Sequence, residues 1–197
     1  MAVESMAIES VPRRDQFTSE LIDLFLAEGF LSFSIEHLAA HLRCSKSTVY
    51  SVAPSKEQIV TTVVRAFFRR ATDRVEARTT RAGTPADRIG AYLEAISEEL
   101  KPASAMFFAD LDHFGPAKEI YKRNTQIAAS RVQELVAEAL HAGKVSPLNA
   151  KFVGAVAGQT MELIHRGQIE AATGLDDSKA YRALADLIVA GMKSPTV

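Results

Sequence analysis

The chain has 197 residues, 47% of them apolar, and a formal net charge of −1. This length and composition allow one large or two modest globular domains, and the near-zero charge argues against a protein that coats nucleic acid nonspecifically. Only ten glycines and seven prolines occur, and there is no tryptophan and no long alternating β-branched run, so we expect an all-α fold.

The single cysteine, Cys44, excludes an intramolecular disulfide. Its place in a predicted turn favours a small apolar filler over a redox sensor. We recognise no signal peptide and no apolar run of membrane-spanning length. The expectation is therefore a cytoplasmic protein with no membrane partner.

The first part of the chain predicts one helix behind a short arm. Residues 1–12 carry few structural signals and are expected to be disordered. An apolar stripe from about Arg13 to Glu28 predicts the first helix, which Gly29 ends. The stripe consists of Phe17, Leu21, Leu24 and Phe25.

The segment 34–56 is the most informative part of the sequence. Ser34 caps an apolar-periodic helix, and Ser45 caps a short helix that reaches about Val52. Val49 and Val52 share the inward face of this short helix. The side chains left to point outward include Lys46, Ser47, Thr48, Tyr50 and Ser51. A lysine and small hydroxyl groups on an exposed helix suit the reading of base edges in a DNA major groove.

These residues carry a family resemblance. The pattern Ser-Ile-x-x-Leu-Ala, then Ser-Lys-Ser-Thr-Val-Tyr, then Pro-Ser-Lys-Glu-x-Ile resembles the DNA-binding domain of the tetracycline-repressor (TetR) family over about residues 17–67. Arg43 stands where that family often has a turn glycine, and Ala53 where an aromatic residue is common. The resemblance implies an all-α protein of about nine helices, with an N-terminal three-helix helix-turn-helix domain and a C-terminal ligand-binding and dimerisation domain.

We accordingly expect four segments. They are a disordered arm over 1–12, a helix-turn-helix DNA-binding domain over 13–60, a connecting helix over 61–83, and a ligand-binding and dimerisation domain over 84–197. Thr84, Pro85 and Asp87 give a strong helix start at the last boundary. Later helices are predicted over about 103–113, then after the stop at Gly115-Pro116 as far as His141, over 149–173 with Asn149 as a cap, and over 177–192.

The resemblance implies a homodimeric, ligand-responsive transcriptional regulator and not an enzyme. By default it would be a repressor that binds a palindromic operator in double-stranded DNA and is released by an apolar small-molecule effector, with no cofactor. Base contacts are expected from residues 46–48, and phosphate contacts from Ser34, Tyr50 and Lys56. The full set of predicted DNA-binding residues is Ser34, Arg43, Ser45, Lys46, Ser47, Thr48, Tyr50 and Lys56.

A group of apolar and aromatic residues could line an effector cavity, and the other interpretation is plain core. The group consists of Tyr92, Met106, Phe107, Phe108, Leu111, Phe114, Tyr121 and Met161. In the resembled family the last two long helices pair with their copies in a second subunit, the alternative being burial within one chain. Small residues over 153–158 would let another helix approach closely.

A second functional hypothesis is a helical metal-dependent enzyme or metal sensor. It would use Asp110, His113 and His165, whose oxygen and nitrogen atoms are possible metal ligands. The sequence has no phosphate loop, dinucleotide fingerprint or nucleophile motif. The two hypotheses differ in whether the purified protein contains a metal.

Overall fold

A computed structural model of the chain describes residues 5–142 and 150–193, and all the regular secondary structure in this part is α-helical. The all-α prediction is confirmed. Within these ranges there are ten helices: α1 (Ser5–Glu28), α2 (Ile35–His41), α3 (Lys46–Tyr50), α4 (Lys56–Arg81), α5 (Pro85–Leu100), α6 (Ala105–His113), α7 (Gly115–His141), α8 (Ala150–His165), α9 (Gln168–Thr173) and α10 (Asp177–Lys193).

The helices form two compact units that are interleaved along the sequence. Among the described residues, the first unit comprises those up to 69 together with 102–120, and the second comprises 70–101 and those from 121 onward. The boundaries fall inside α4 and α7. Residues 102–120 therefore pack with the N-terminal helices, although the sequence places them in a C-terminal domain that begins at residue 84.

Four phenylalanine rings explain why α6 belongs to the first unit. Phe30 lies against Phe25 and Phe107, with ring centroids 5.7 and 6.0 Å apart, and Phe107 meets the edge of Phe67 at 5.8 Å. None of the four is more than 2% exposed. Burial of such large rings, with edge-to-face contacts, is strongly stabilising. The rings join α1, the loop after it, α4 and α6 into one core.

The second unit is built largely on the packing of α5 against α10. Ile89 and Leu93 on α5 are fully buried, and Leu184 on α10 is 4% exposed. The buried Ser97 hydroxyl of α5 donates to the Ser178 carbonyl oxygen of α10 at 2.8 Å, which satisfies a polar group that would otherwise be costly to bury.

Helices α7 and α8 of the second unit approach each other unusually closely. A Cβ atom built on Gly154 would lie 2.7 Å from the Gln133 Cβ, and one on Gly158 would lie 3.0 Å from the Ala129 Cβ. The small residues predicted to admit a neighbouring helix therefore admit α7 of the same chain.

Several helix boundaries differ from the sequence prediction. α1 begins at Ser5 rather than near Arg13, so the arm expected to be disordered is helical from residue 5, where methionine, alanine and glutamate favour a helix. The single helix expected over 149–173 is broken, because Gly167 adopts a left-handed conformation with φ of 67° between α8 and α9. The predicted cap Asn149 lies outside the described residues. The start at Thr84 is confirmed, with a reciprocal capping box to Asp87.

Candidate DNA-contacting site

Two serine caps set the helix-turn-helix geometry. The Ser34 Oγ accepts the His37 N–H at 3.1 Å at the start of α2, and the Ser45 Oγ accepts the Thr48 N–H at 3.1 Å at the start of α3. Each bond satisfies one of the backbone donors that a helix start leaves open. Both caps were predicted from the sequence and are confirmed.

The short helix α3 buries its valines and exposes its polar side chains. Val49 is fully buried and Val52 just after the helix is 5% exposed, as predicted. Lys46, Ser47 and Tyr50 are exposed, and the remaining residue of the helix, Thr48, is half-buried. Anchored from one side only, α3 presents a row of donors and acceptors on its outer face.

The hydroxyl groups of α3 form a local network. The Ser45 Oγ lies 2.9 Å from both the Ser47 Oγ and the Thr48 Oγ1. A hydroxyl has one donor hydrogen and two acceptor lone pairs. The Ser45 Oγ also accepts the Thr48 N–H, so its capacity is filled, whereas the Ser47 and Thr48 hydroxyls can each still bond to a further partner. The network reduces the side-chain freedom that a contact to DNA would otherwise have to freeze.

Glu36 on α2 pairs with Lys46 on α3, a contact that the sequence did not reveal. The Lys46 Nζ donates to the Glu36 Oε1 at 2.5 Å, and both side chains are more than half exposed. Hydrogen bonds from Lys46, from the Glu36 backbone N–H and from Ser34 lower the pKa of Glu36 to about 2. Glu36 directly precedes a stretch, 37–56, that contains no acidic residue, but nothing in the sequence indicates Lys46 as its partner.

Side chains of α4 and α6 form hydrogen bonds with the backbone of the loop after α1. The Asp110 Oδ2 accepts the backbone N–H groups of Phe30 at 2.5 Å and Leu31 at 2.8 Å, and the Lys56 Nζ donates to the Leu31 carbonyl oxygen at 2.7 Å. We call this arrangement the Leu31 clamp. Gly29 adjoins it with φ of 76°, and a Cβ there would lie 2.6 Å from the Asp110 carboxylate. Lys56 therefore braces the loop, whatever further contact its ammonium group makes.

The turn between α2 and α3 holds Arg43 in the left-handed region, with φ of 50°. This is the position where a glycine would be unstrained, and the exposed arginine keeps its charge next to α3. The neighbouring Cys44 is half-buried, and burial raises the pKa of its thiol, which lowers the reactive thiolate fraction.

The residues predicted to line an effector cavity are divided between the two units. Phe107 and Leu111 are buried in the first unit beside the half-buried Phe108 and Phe114, whereas Met106 is 56% exposed. The other three belong to the buried core of the second unit, namely Tyr92, Tyr121 and Met161.

The tyrosines of the second unit are buried together with other core residues. The ring centroid of Tyr121 lies 3.5 Å from that of His165. Burial raises the pKa values of the Tyr92, Tyr121 and Tyr181 hydroxyls above their ordinary value, which already lies well above physiological pH. Neutral aromatic rings that carry a hydroxyl are also side chains that apolar and amphipathic ligands contact in proteins.

The residues of the metal hypothesis do not form a metal-ligand group. The Asp110 Oδ2 accepts two backbone N–H groups, and the His113 Nδ1 lies 2.6 Å from the Ala109 carbonyl oxygen. His165 belongs to the second unit, whereas the other two residues belong to the first. In the described part of the chain, no three histidine, cysteine, aspartate or glutamate side chains come together as a group that could hold a metal ion.

No protein-family model matches the sequence, and no curated protein matches it significantly. Solved structures match nearly the whole chain. A transcriptional regulator of the TetR/AcrR family from Thermobifida fusca is 19% identical, with a TM-score of 0.65, and the match covers 93% of this chain and 100% of that one. A TetR-family transcriptional regulator from Agrobacterium tumefaciens is 14% identical, with a TM-score of 0.67 and coverage of 93% and 98%.

The chain has the fold of TetR-family regulators. A third matching structure, described as a transcriptional regulator from Saccharomonospora viridis, was solved in complex with choline. It is 15% identical, with a TM-score of 0.65 and coverage of 90% and 95%. Within the described ranges, none of the helices of this chain is both long and apolar enough to cross a membrane.

Proposed function

We propose that this protein is a homodimeric, ligand-responsive transcriptional regulator that binds a palindromic DNA operator. The observation that carries the proposal is α3, a short capped helix anchored inward by Val49 with its polar side chains exposed. The TetR fold supports the same conclusion. The proposal assigns no catalytic residue and places the protein in the cytoplasm.

The proposed contacts follow from the outer face of the helix-turn-helix. Lys46, Ser47 and Thr48 are assigned to base edges, where lysine and hydroxyl groups can bond to guanine or adenine acceptors. The phosphate contacts are assigned to residues that flank them, namely Ser34, Arg43, Tyr50 and Lys56. Ser45, the remaining residue of the predicted DNA-binding set, is assigned to holding the Ser47 and Thr48 hydroxyls in place. The Lys56 ammonium has three hydrogens, so it can brace the Leu31 carbonyl and still reach a phosphate.

Dimerisation is supported by apolar side chains exposed on α8 and α10. Phe152 and Val156 on α8 are 66% and 39% exposed, and Leu187 on α10 is 68% exposed. Exposed apolar groups on neighbouring helices are typical of association surfaces. A two-fold pair would present two α3 helices to half-sites about 34–36 Å apart, which is how helix-turn-helix dimers gain specificity.

The effector is proposed to be an apolar or amphipathic small molecule bound among aromatic residues of the C-terminal helices, and the core tyrosines 92 and 121 support this. The choline complex of the Saccharomonospora protein shows that a protein of this fold holds a small organic molecule. The protein would dissociate from its operator if the effector binds more tightly to an arrangement of the dimer that has low affinity for DNA.

The proposal is tested with duplexes selected by the protein from a random pool, measured by fluorescence anisotropy at several salt concentrations. We expect Ser47→Ala to weaken binding unevenly across sequences, by about tenfold on the best ones. We expect Lys56→Ala to weaken binding to every duplex and to lower the salt slope by about one unit per lost contact. Lys122→Ala, an exposed lysine on α7, serves as the control.

Two results would revise this proposal. If the wild-type protein enriches no sequence and binds no duplex at low salt, the DNA-binding function fails. If Lys56→Ala weakens binding but leaves the salt slope unchanged, Lys56 acts only through the Leu31 clamp and its phosphate contact is withdrawn.

A further inference from the structure

We propose that Glu36 is a specificity-determining residue of the DNA-contacting site. Its carboxylate holds Lys46 in the free protein, so that only a duplex offering Lys46 a better partner than Glu36 is bound tightly. The inference rests on the proposed DNA-binding function and concerns how strongly the protein rejects DNA of the wrong sequence.

The geometry places one acidic group against the first residue of α3. Glu36 lies in the first turn of α2, and its Oε1 accepts from the Lys46 Nζ across the turn between the helices. The side chains are 60% and 58% exposed, so a DNA surface that meets α3 also meets this pair. The carboxylate further interacts with Ser34, which is itself assigned to a phosphate.

The carboxylate is charged at every pH at which the protein would work, because its hydrogen bonds keep its pKa far below neutrality. DNA must therefore compete with the Glu36 carboxylate for Lys46 and Ser34, two of the proposed DNA-contacting donors. Once Lys46 is drawn to a phosphate, Glu36 is left without that partner close to other phosphates. At 0.1 M salt charges still interact over about 10 Å, so this repulsion opposes nonspecific binding.

A matching sequence removes this penalty through base edges. Guanine presents two acceptors to a lysine in the major groove, and the cytosine amino group can donate to a glutamate. Lys46 and Glu36 would then both find partners on the same duplex. Nonspecific DNA offers mainly phosphates, which satisfy the lysine and repel the glutamate, so Glu36 widens the difference between the two binding free energies.

The experiment compares four proteins on a short duplex of arbitrary sequence and on a duplex selected from a random pool. They are the wild type, Glu36→Gln, Lys46→Gln and the double variant. Asp112→Asn is the matched control, because it also removes one carboxylate from an exposed lysine pair, with Lys118, in the same compact unit. Affinities are measured against salt concentration, with thermal unfolding to confirm that each variant is folded.

We expect Glu36→Gln to bind the arbitrary duplex about threefold to fivefold more tightly, the range set by a single exposed ion pair, and to steepen the salt slope by up to about one unit per subunit. Its ratio of selected to arbitrary affinity should fall. In the Lys46→Gln background the gain should shrink, because the lysine that Glu36 withholds is already absent, and Asp112→Asn should behave as wild type.

The proposal is overturned if Glu36→Gln leaves nonspecific affinity unchanged or weaker, or if its gain is as large without Lys46 as with it. The latter result would reduce Glu36 to a general repulsive charge. Failure of every protein, wild type included, to bind either duplex at low salt would instead overturn the DNA-binding function on which the inference rests.

Discussion

The Asp110 carboxylate is a buried polar group whose hydrogen bonds reach far along the sequence. It is 7% exposed and accepts two backbone N–H groups some eighty residues earlier in the chain. The carbonyl oxygen of the same residue, Leu31, accepts a hydrogen bond from Lys56. This carboxylate therefore fixes the loop from which the chain enters the helix-turn-helix.

Replacing Asp110 with alanine should destabilise the first unit. The change leaves the buried Phe30 N–H and the part-buried Leu31 N–H without an acceptor, and the loss at a buried group costs about 1–3 kcal/mol. We expect a loss of about 2–4 kcal/mol by urea unfolding, and much faster hydrogen exchange at the Phe30 and Leu31 amides. Asp112→Ala removes an exposed carboxylate from the same helix and should cost little. Unchanged exchange at both amides in the Asp110 variant would contradict the clamp.

Asp177, the first residue of α10, should make stability depend on pH. Burial, reinforced by the charges of Glu170 and Asp176, raises the pKa of Asp177 to about 6. Because this pKa exceeds that of the unfolded chain, the folded protein binds more protons in the window from about pH 4 to 6. The contribution of Asp177 to stability is therefore present at low pH and is lost as pH rises through this window.

We expect Asp177→Asn to stabilise the protein at pH 7 by about 1–2 kcal/mol, a value discounted for the partial solvent exposure of the group. The gain should shrink as pH falls through about 6 and should disappear below about pH 3, where the carboxyl is protonated in both states. Urea unfolding of both proteins across this range measures the difference, which cancels the titration of all other groups. A gain that is constant with pH would show that Asp177 is not the titrating group.

At the scale of the helices, the sequence predicts those features that depend on residues only a few positions apart in the chain. The caps at Ser34, Ser45 and Thr84 follow from hydroxyl groups a few residues ahead of their N–H partners, and the burial of Val49 follows from helical spacing. The break at Gly167 was not predicted, because an isolated glycine within a helical pattern can either continue the helix or end it. Lys46 was identified as outward-facing, but its partner Glu36 lies on another helix and no local pattern indicates the pair.

The residues predicted to line an effector cavity also show that contacts between different helices do not follow from the sequence pattern. Phe107 and Met161 both read as apolar helix positions, yet one packs with Phe30 and Phe67 and the other lies in the core of the second unit. Hydrophobic spacing tells which face of a helix is buried and not which helix will cover it. The interleaving of the two units is therefore a tertiary property that only the structure supplies.

The contact between α7 and α8 gives a prediction at this scale. Gly154→Ala would place a Cβ 2.7 Å from the Gln133 Cβ, too close to be relieved without moving the helices apart. Such overpacking costs about 1–3 kcal/mol, partly offset by the better helix propensity of alanine, about 1 kcal/mol. We expect a net loss of about 1–2 kcal/mol by urea unfolding.

Gly90→Ala on α5 is the matched control for Gly154→Ala. Its added Cβ would lie 3.4 Å from the nearest atom, a Val189 methyl, which is an ordinary contact. The propensity gain should then dominate and the variant should be as stable as wild type or more so. If both glycine variants gained stability, the close approach of α7 and α8 would be wrong.

At the scale of the whole molecule, a chain with a net charge of −1 has to bind a polyanion through local charge and through duplication. The acid-free stretch 37–56 supplies the local charge. One α3 helix of five residues offers few contacts, so a second copy on the same duplex is the natural route to useful affinity. This makes the proposed dimer a requirement of the function.

Charged substitutions on the exposed apolar residues of α8 and α10 should separate the two copies. We expect Phe152→Glu and Leu187→Glu each to shift the protein from dimer to monomer in sedimentation velocity, because a buried unpaired carboxylate is costly at an interface. Helix content by circular dichroism should be retained, since both positions are about two-thirds exposed in the single chain.

DNA binding reports whether that dimer is the functional form. A monomer contacts only one half-site and loses the affinity that two linked subunits gain by binding together. Its affinity for a selected duplex should therefore fall by about a hundredfold or more. Ile127→Glu, at a 54% exposed position of α7, which is not one of the two helices proposed to pair, is the control and should remain dimeric. If Ile127→Glu dissociates the protein while Leu187→Glu leaves it dimeric, the two-fold contact lies on α7, and the α8–α10 surface has another role.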